Sequence, residues 1–156
     1  KFTVNTAGVL TLGFDSPLTS SLDYFELGLY DSGGTRLNLY VTGSDKTFQT
    51  AVAAAGTYYV GVTDSTYYTD GVYKLTASHT AGSIAGFESE DNATFAAADP
   101  LTVGSAITGQ LSTAADIDTY KFTVSAAGVV TLLFDSPLNS SLDYFGFGLY
   151  DSSGNA

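Results

Sequence analysis

Val9-Leu10-Thr11-Leu12-Gly13-Phe14 places Leu10, Leu12 and Phe14 on one face of an extended chain and the residues between them on the other. A period of two is the signature of a half-buried β-strand. The same pattern recurs downstream. Phe25, Leu27 and Leu29 share a face, with Tyr24, Glu26 and Tyr30 opposite. Tyr58, Val60 and Val62 form a third such row, and Val72-Tyr73-Lys74-Leu75-Thr76 a fourth. Turn-forming residues separate these runs: Asp15-Ser16-Pro17, Asp31-Ser32-Gly33-Gly34, Thr42-Gly43-Ser44-Asp45 and Asp70-Gly71. Short strands at this spacing predict an all-β fold, an antiparallel β-sandwich of jelly-roll-like type. The one helical hint is Ala93 to Ala98, enough for a single turn.

The first alternating run occurs twice. Residues 1–34 read KFTVNTAGVLTLGFDSPLTSSLDYFELGLYDSGG, and residues 121–154 read KFTVSAAGVVTLLFDSPLNSSLDYFGFGLYDSSG. At an offset of 120, 26 of the 36 pairs from 1–36 and 121–156 are identical. A fixed period of this length is the mark of tandem all-β domains. The chain reads as a piece of such an array, opening in the middle of a copy. Residues 1–80 form the later two-thirds of one copy, the small and glycine-rich 81–86 a linker, and 87–156 the opening part of the next. Neither piece holds every strand, so each needs completion. Residues 88–120 could fold back onto the first copy and leave 121–156 spare, or 87–156 of one molecule could complete 1–80 of another in a head-to-tail polymer.

Composition narrows the partners. The chain carries 16 acidic residues against 5 basic ones, a net charge of −11, which repels nucleic acid and anionic membrane and favours cations. A hydrophobic fraction of 44% supports a real core. Cysteine is absent, so neither disulfides nor thiolate metal sites are available. No apolar run has the length of a membrane-spanning helix.

Four segments carry a resemblance. They are the acidic run Glu88-Ser89-Glu90-Asp91-Asn92; Leu101 to Leu111 with Gly104, Ile107 and Gly109; Asp116-Ile117-Asp118-Thr119-Tyr120-Lys121-Phe122; and Ala55-Gly56-Thr57-Tyr58-Tyr59-Val60-Gly61-Val62 followed by Tyr73-Lys74-Leu75-Thr76. In this order the set resembles the bacterial pre-peptidase C-terminal domain, a family that includes the collagen-binding modules of bacterial collagenases. The resemblance implies a non-catalytic β-sandwich of a secreted or cell-surface bacterial protein. It also implies a calcium site at Glu88, Glu90, Asn92, Asp116 and Asp118. The matching element that would precede Lys1 is not in the sequence, so the first copy has no such site of its own.

The residues themselves support a cation there. Glu88 and Glu90 are two apart, as are Asp116 and Asp118, so in extended chain each pair points one way. Four carboxylates gathered together repel unless a cation joins them, and calcium takes hard oxygen ligands of this kind. Asp64 and Asp70-Gly71 read as turn residues instead.

Catalysis is not expected. Asp31-Ser32-Gly33-Gly34 looks like a serine-protease nucleophile motif, but the residue before it is Tyr30, and the second copy reads Asp151-Ser152-Ser153-Gly154. The single histidine is His79, which has no counterpart among the residues of the second copy. Tyr58, Tyr59, Tyr67, Tyr68 and Tyr73 are candidates for a ligand-binding face suited to an extracellular protein or polysaccharide. The sequons Asn92-Ala93-Thr94 and Asn139-Ser140-Ser141 carry no weight in a bacterial protein. The reading is a calcium-binding extracellular structural or adhesive repeat, which could form a fibre with neighbouring or identical chains. Its rival is a substrate-targeting module of a secreted hydrolase.

Overall fold

The alternating runs become strands in a computed structural model, which describes residues 1–137 and 144–156. Strands β1 (Phe2–Val4), β2 (Gly8–Asp15), β3 (Ser20–Tyr30), β4 (Arg36–Gly43), β5 (Lys46–Val52), β6 (Gly56–Asp64) and β7 (Lys74–Ala81) form two antiparallel sheets. One has the order β1-β6-β3-β4 and the other β5-β2-β7. The sheets pack face to face through the rows named above. Leu10, Leu12 and Val52 from one sheet meet Val4, Leu29 and Tyr58 from the other. Phe14 meets Phe25 and Leu27 in a second cluster, with the Phe14 and Phe25 rings 4.9 Å apart. The fold is a β-sandwich, and among the described residues there is no helix.

The two sheets share one topological property. Within the first 30 residues, no strand pairs with another: β1 pairs only with β6, β2 with β5 and β7, and β3 with β4 and β6. Every ladder partner of β1–β3 therefore comes from β4–β7 (Arg36–Ala81).

Local chemistry sets the boundaries. Between β3 and β4 the Asp31 carboxylate accepts the amide N–H groups of Gly33 at 2.8 Å and Thr35 at 2.9 Å. Gly34 closes that turn at a φ of +86°, a conformation that disfavours any side chain. The fourth alternating run starts later than the pattern suggests: Val72 and Tyr73 precede β7, whose ladder with β2 begins at Asp15–Lys74 and runs into Ala81. Ala93 to Ala98 makes a single hydrogen-bonded turn, with the Ala97 N–H donating to the Thr94 carbonyl at 3.0 Å.

Two compact units divide the chain between Phe122 and Thr123, not at the glycine-rich segment 81–86. Residues 87–122 belong to the first unit because they are built onto its outer strand. β4 ends its sheet, and the Gln110 side chain caps that open edge: its carbonyl accepts the Leu39 N–H at 2.9 Å and its amide donates to the Leu39 carbonyl. The Ser112 hydroxyl donates to the Arg36 carbonyl on the same strand. Within this segment, β8 (Asp99–Pro100) and β9 (Tyr120–Lys121) form a short parallel ladder, and Phe87 bridges to Thr108.

The second unit, Thr123–Ala156, contains no strand among its described residues. It keeps the turn: Asp151 accepts the N–H groups of Ser153 at 2.8 Å and Asn155 at 2.9 Å, as Asp31 does in the first copy. The sequon Asn139-Ser140-Ser141 lies outside the described residues.

Candidate metal site

Two short pairings bring the acidic run to the Asp-x-Asp element. The Glu88 N–H donates to the Thr108 carbonyl at 2.9 Å, and the Asp99 N–H to the Thr119 carbonyl at 2.9 Å. The two stretches thereby lie beside each other although they are about 30 residues apart in sequence. One carboxylate oxygen from each of Glu88, Glu90 and Asp118 falls within 4.8 Å of the others. Ligand oxygens sharing a calcium ion at about 2.4 Å are at most about 4.8 Å apart, so the grouping has the size of a coordination sphere. The buried acidic triad could hold a metal ion.

The hydrogen bonding shows which atoms are committed. Glu88, itself buried, accepts the Gln110 N–H on one oxygen and the Tyr120 hydroxyl on the other at 2.9 Å. Asp99 holds the acidic run in place: it accepts the Ser89 N–H at 2.7 Å, the Ser89 hydroxyl at 2.8 Å and the Asn92 side-chain amide at 3.1 Å. That last bond uses the nitrogen end of Asn92, which is only 1% exposed, and leaves its oxygen bare. Glu90 Oε1, Asn92 Oδ1 and Asp118 Oδ1 are all buried with no hydrogen-bond partner. An unpaired buried acceptor costs about 1–3 kcal/mol, more if charged. Three of them, on residues expected to bind one ion, are what a cation would satisfy.

The electrostatics agree. Burial, with Asp118 close by, pushes the Glu88 carboxyl from its usual 4.5 to about 8. Burial and the charges of Asp116 and Asp118 push Glu90 to about 7. Burial raises Asp118 as well, with the Asp116 charge adding to it, and burial beside Glu88 and Asp118 raises the Tyr120 hydroxyl. Like charges withdrawn from water protonate unless a counter-charge is supplied. With carboxylate and amide oxygens but no thiol or imidazole in the group, the donor set suits a hard cation.

The sequence-predicted ligands thus divide. Glu88, Glu90 and Asp118 converge, and Asn92 is held by Asp99 through its side-chain amide. Asp116 lies near enough to raise Glu90 but stands outside the triad. Its two oxygens are engaged by backbone N–H groups of Ser112 and Ile117, which makes it the brace of the turn that carries Asp118. Asp99 and Gln110 were not expected. Asp99 in Ala-Ala-Asp-Pro reads as an ordinary turn acid, and only its buried tertiary position reveals its role. Gly109, by contrast, belongs to the quoted pattern, and the reason is now visible: a Cβ there would stand 2.3 Å from the Tyr120 hydroxyl and 2.6 Å from Glu88 Oε2.

The tyrosines separate by face. Tyr58 is buried, stacks on Phe2 with ring centres 6.0 Å apart and donates its hydroxyl to the Ala54 carbonyl, so its ring is part of the core. Tyr73 packs on Phe14 and Phe25 at 5.3 and 5.9 Å. Tyr73 is nonetheless exposed, as are Tyr59, Tyr67 and Tyr68, with Tyr67 lying on Tyr24 at 5.4 Å. Tyr68 and Tyr73 line a cleft of about 160 Å³ with Tyr24 and Asp64, smaller than the roughly 300 Å³ at which ligand pockets begin. Ser32 sits in the Asp31 turn, whose carboxylate accepts backbone amides, and His79 Nε2 is buried without a hydrogen-bond partner.

No protein-family model matches the chain, and neither a curated protein nor a solved structure matches it. No helix among the described residues is long and apolar enough to cross a membrane.

Proposed function

We propose that the chain is a non-catalytic, calcium-binding structural or adhesive repeat of an extracellular bacterial protein, akin to the pre-peptidase C-terminal domain. The observation that carries this reading is the convergence of the Glu88, Glu90 and Asp118 carboxylates, with buried oxygens of Glu90, Asp118 and nearby-in-sequence Asn92 left without hydrogen-bond partners. Calcium is favoured over magnesium because the donors come from an irregular loop pair, and calcium tolerates six to eight oxygens in uneven geometry while magnesium demands a near-octahedral shell. Two waters or backbone carbonyls would complete its sphere. Bound there, the ion fastens the acidic run to the Asp-x-Asp element, and through Glu88 and Gln110 fastens both to the edge of β4.

The test is a calorimetric titration of the chain with calcium and, separately, with magnesium. One calcium should bind, with a dissociation constant on the order of 10⁻⁴ M. Asp118→Asn and Glu90→Gln should each weaken it about tenfold or more. No heat with either ion at millimolar concentration would remove the metal from the account.

Exposed Tyr68 beside Asp64 favours a second role, attachment to an extracellular protein or polysaccharide as a targeting module. Retention on an immobilised polysaccharide or protein fibre that is lost in Tyr68→Ser would support it, and equal retention would dismiss it.

A further inference from the structure

Asp64 ends β6 opposite Phe25 of β3. The chain beyond it is held to β3, with the Ser65 N–H donating to the Tyr24 carbonyl and the Tyr67 N–H to the Asp23 carbonyl, both at 3.1 Å. The result is the cleft of about 160 Å³ that Tyr24, Phe25, Asp64, Tyr68, Thr69 and Tyr73 line. Its walls are braced by packing. Tyr73 rests on Phe14 and Phe25, and Tyr24 on Tyr67. Gly71 passes so close to Pro17 that a Cβ would stand 2.6 Å from its ring. All of these residues belong to the first unit.

Asp64 is the one charged residue of the cleft, and it is unmatched. Arg36 pairs with Glu26 at 3.6 Å and Lys74 with Asp15 at 3.1 Å, while among the described residues the Asp64 carboxylate has neither an ion pair nor a hydrogen bond. An aromatic-lined recess with a single carboxylate is complementary to a cation, which the rings attract through their quadrupoles and the carboxylate through its charge. The net charge of −11 adds to that attraction. We infer that the cleft takes one arginine side chain of a partner polypeptide. Its volume is too small for most ligands taken whole and suits a single head group. A guanidinium is preferred to an ammonium because it is planar and weakly hydrated, stacks on aromatic rings and forks its N–H groups onto a carboxylate. A neutral sugar would leave Asp64 unmatched. This arginine site rests on the attachment role proposed for the same face and is independent of the metal.

The experiment titrates the full chain with N-acetyl-arginine amide, and separately with N-acetyl-citrulline amide, its uncharged isostere, while backbone amide resonances are followed. The arginine probe should shift residues 63–71 saturably, with a dissociation constant on the order of 10⁻³ M. The citrulline probe should bind about tenfold more weakly or not at all, and Asp64→Asn should weaken the arginine probe about tenfold. That variant should melt with the unaltered chain, since its carboxylate holds no partner, and the citrulline comparison needs no variant at all. No saturable shift, equal binding of the two probes, or unchanged affinity in a folded Asp64→Asn would each overturn the inference. Loss of retention on a protein fibre in Tyr68→Ser, with no binding of the arginine probe to the unaltered chain, would keep the attachment role and overturn the arginine site alone.

Discussion

Gly109 shows how closely the site is built. Its missing side chain is the space in which the Tyr120 hydroxyl meets the Glu88 carboxylate. Gly109→Ala should therefore push apart the segments that carry Glu88 and Tyr120 and lower calcium affinity about tenfold, measured by titration against the unaltered chain. The protons of the triad supply a second prediction. Glu88 and Glu90 hold their protons more tightly folded than unfolded, at about 8 and about 7 against the usual 4.5. The stability they lend is thus fully present below about pH 4.5 and is lost as the pH rises through about 7 to 8. In chelator the melting temperature should fall across that range. With calcium bound the carboxylates are charged and satisfied, so the gap between calcium and chelator melts should be wider at pH 8 than at pH 5. A gap that narrows with rising pH would contradict the assignment. At this scale the sequence shows Glu88, Glu90 and Asp118, because two-residue spacing in extended chain aims paired carboxylates one way. It does not show Asp99, whose part depends on being folded against Ser89 and Asn92. Nor does it separate Asp118, a free oxygen donor, from Asp116, which spends both oxygens on its own turn.

Among the elements, turns and strands answer to different rules, and the repeat makes the contrast visible. The Asp31 and Asp151 turns are the same in both copies because their hydrogen bonds close within five residues. β2 and its counterpart differ because a strand exists only beside another strand. Alternation in Val9 to Phe14 therefore announces a strand and its buried face, and leaves open which strand it will join. That Gln110 takes up the free edge of β4 was beyond sequence reading for the same reason. Two predictions belong here. Leu12→Ala should cost about 2–5 kcal/mol in denaturant unfolding, whereas Leu132→Ala should stay within about 0.5 kcal/mol. Gln110→Ala should speed exchange of the Leu39 amide and cost about 1–3 kcal/mol, since it bares an N–H and a carbonyl at the sheet edge.

In the whole molecule, residues 87–122 are fastened onto the sandwich of the first unit. By sequence they open the second copy, and by contact they close the first, with the Glu88–Gln110–Leu39 connection running from the acidic cluster to the sandwich. A cation in that cluster would tighten this attachment, and its removal would leave mutually repelling carboxylates to loosen it. The most direct measurement is the thermal melt of the chain in excess chelator and again in about 10 mM calcium, at pH 8. With a dissociation constant on the order of 10⁻⁴ M the ion should add about 2.7 kcal/mol and raise the melting temperature by about 5–10 °C, a rise that Asp118→Asn removes. Identical melts in chelator and calcium would contradict the account, and would leave Glu88, Glu90 and Asp118 as buried acids that keep their protons instead of sharing an ion.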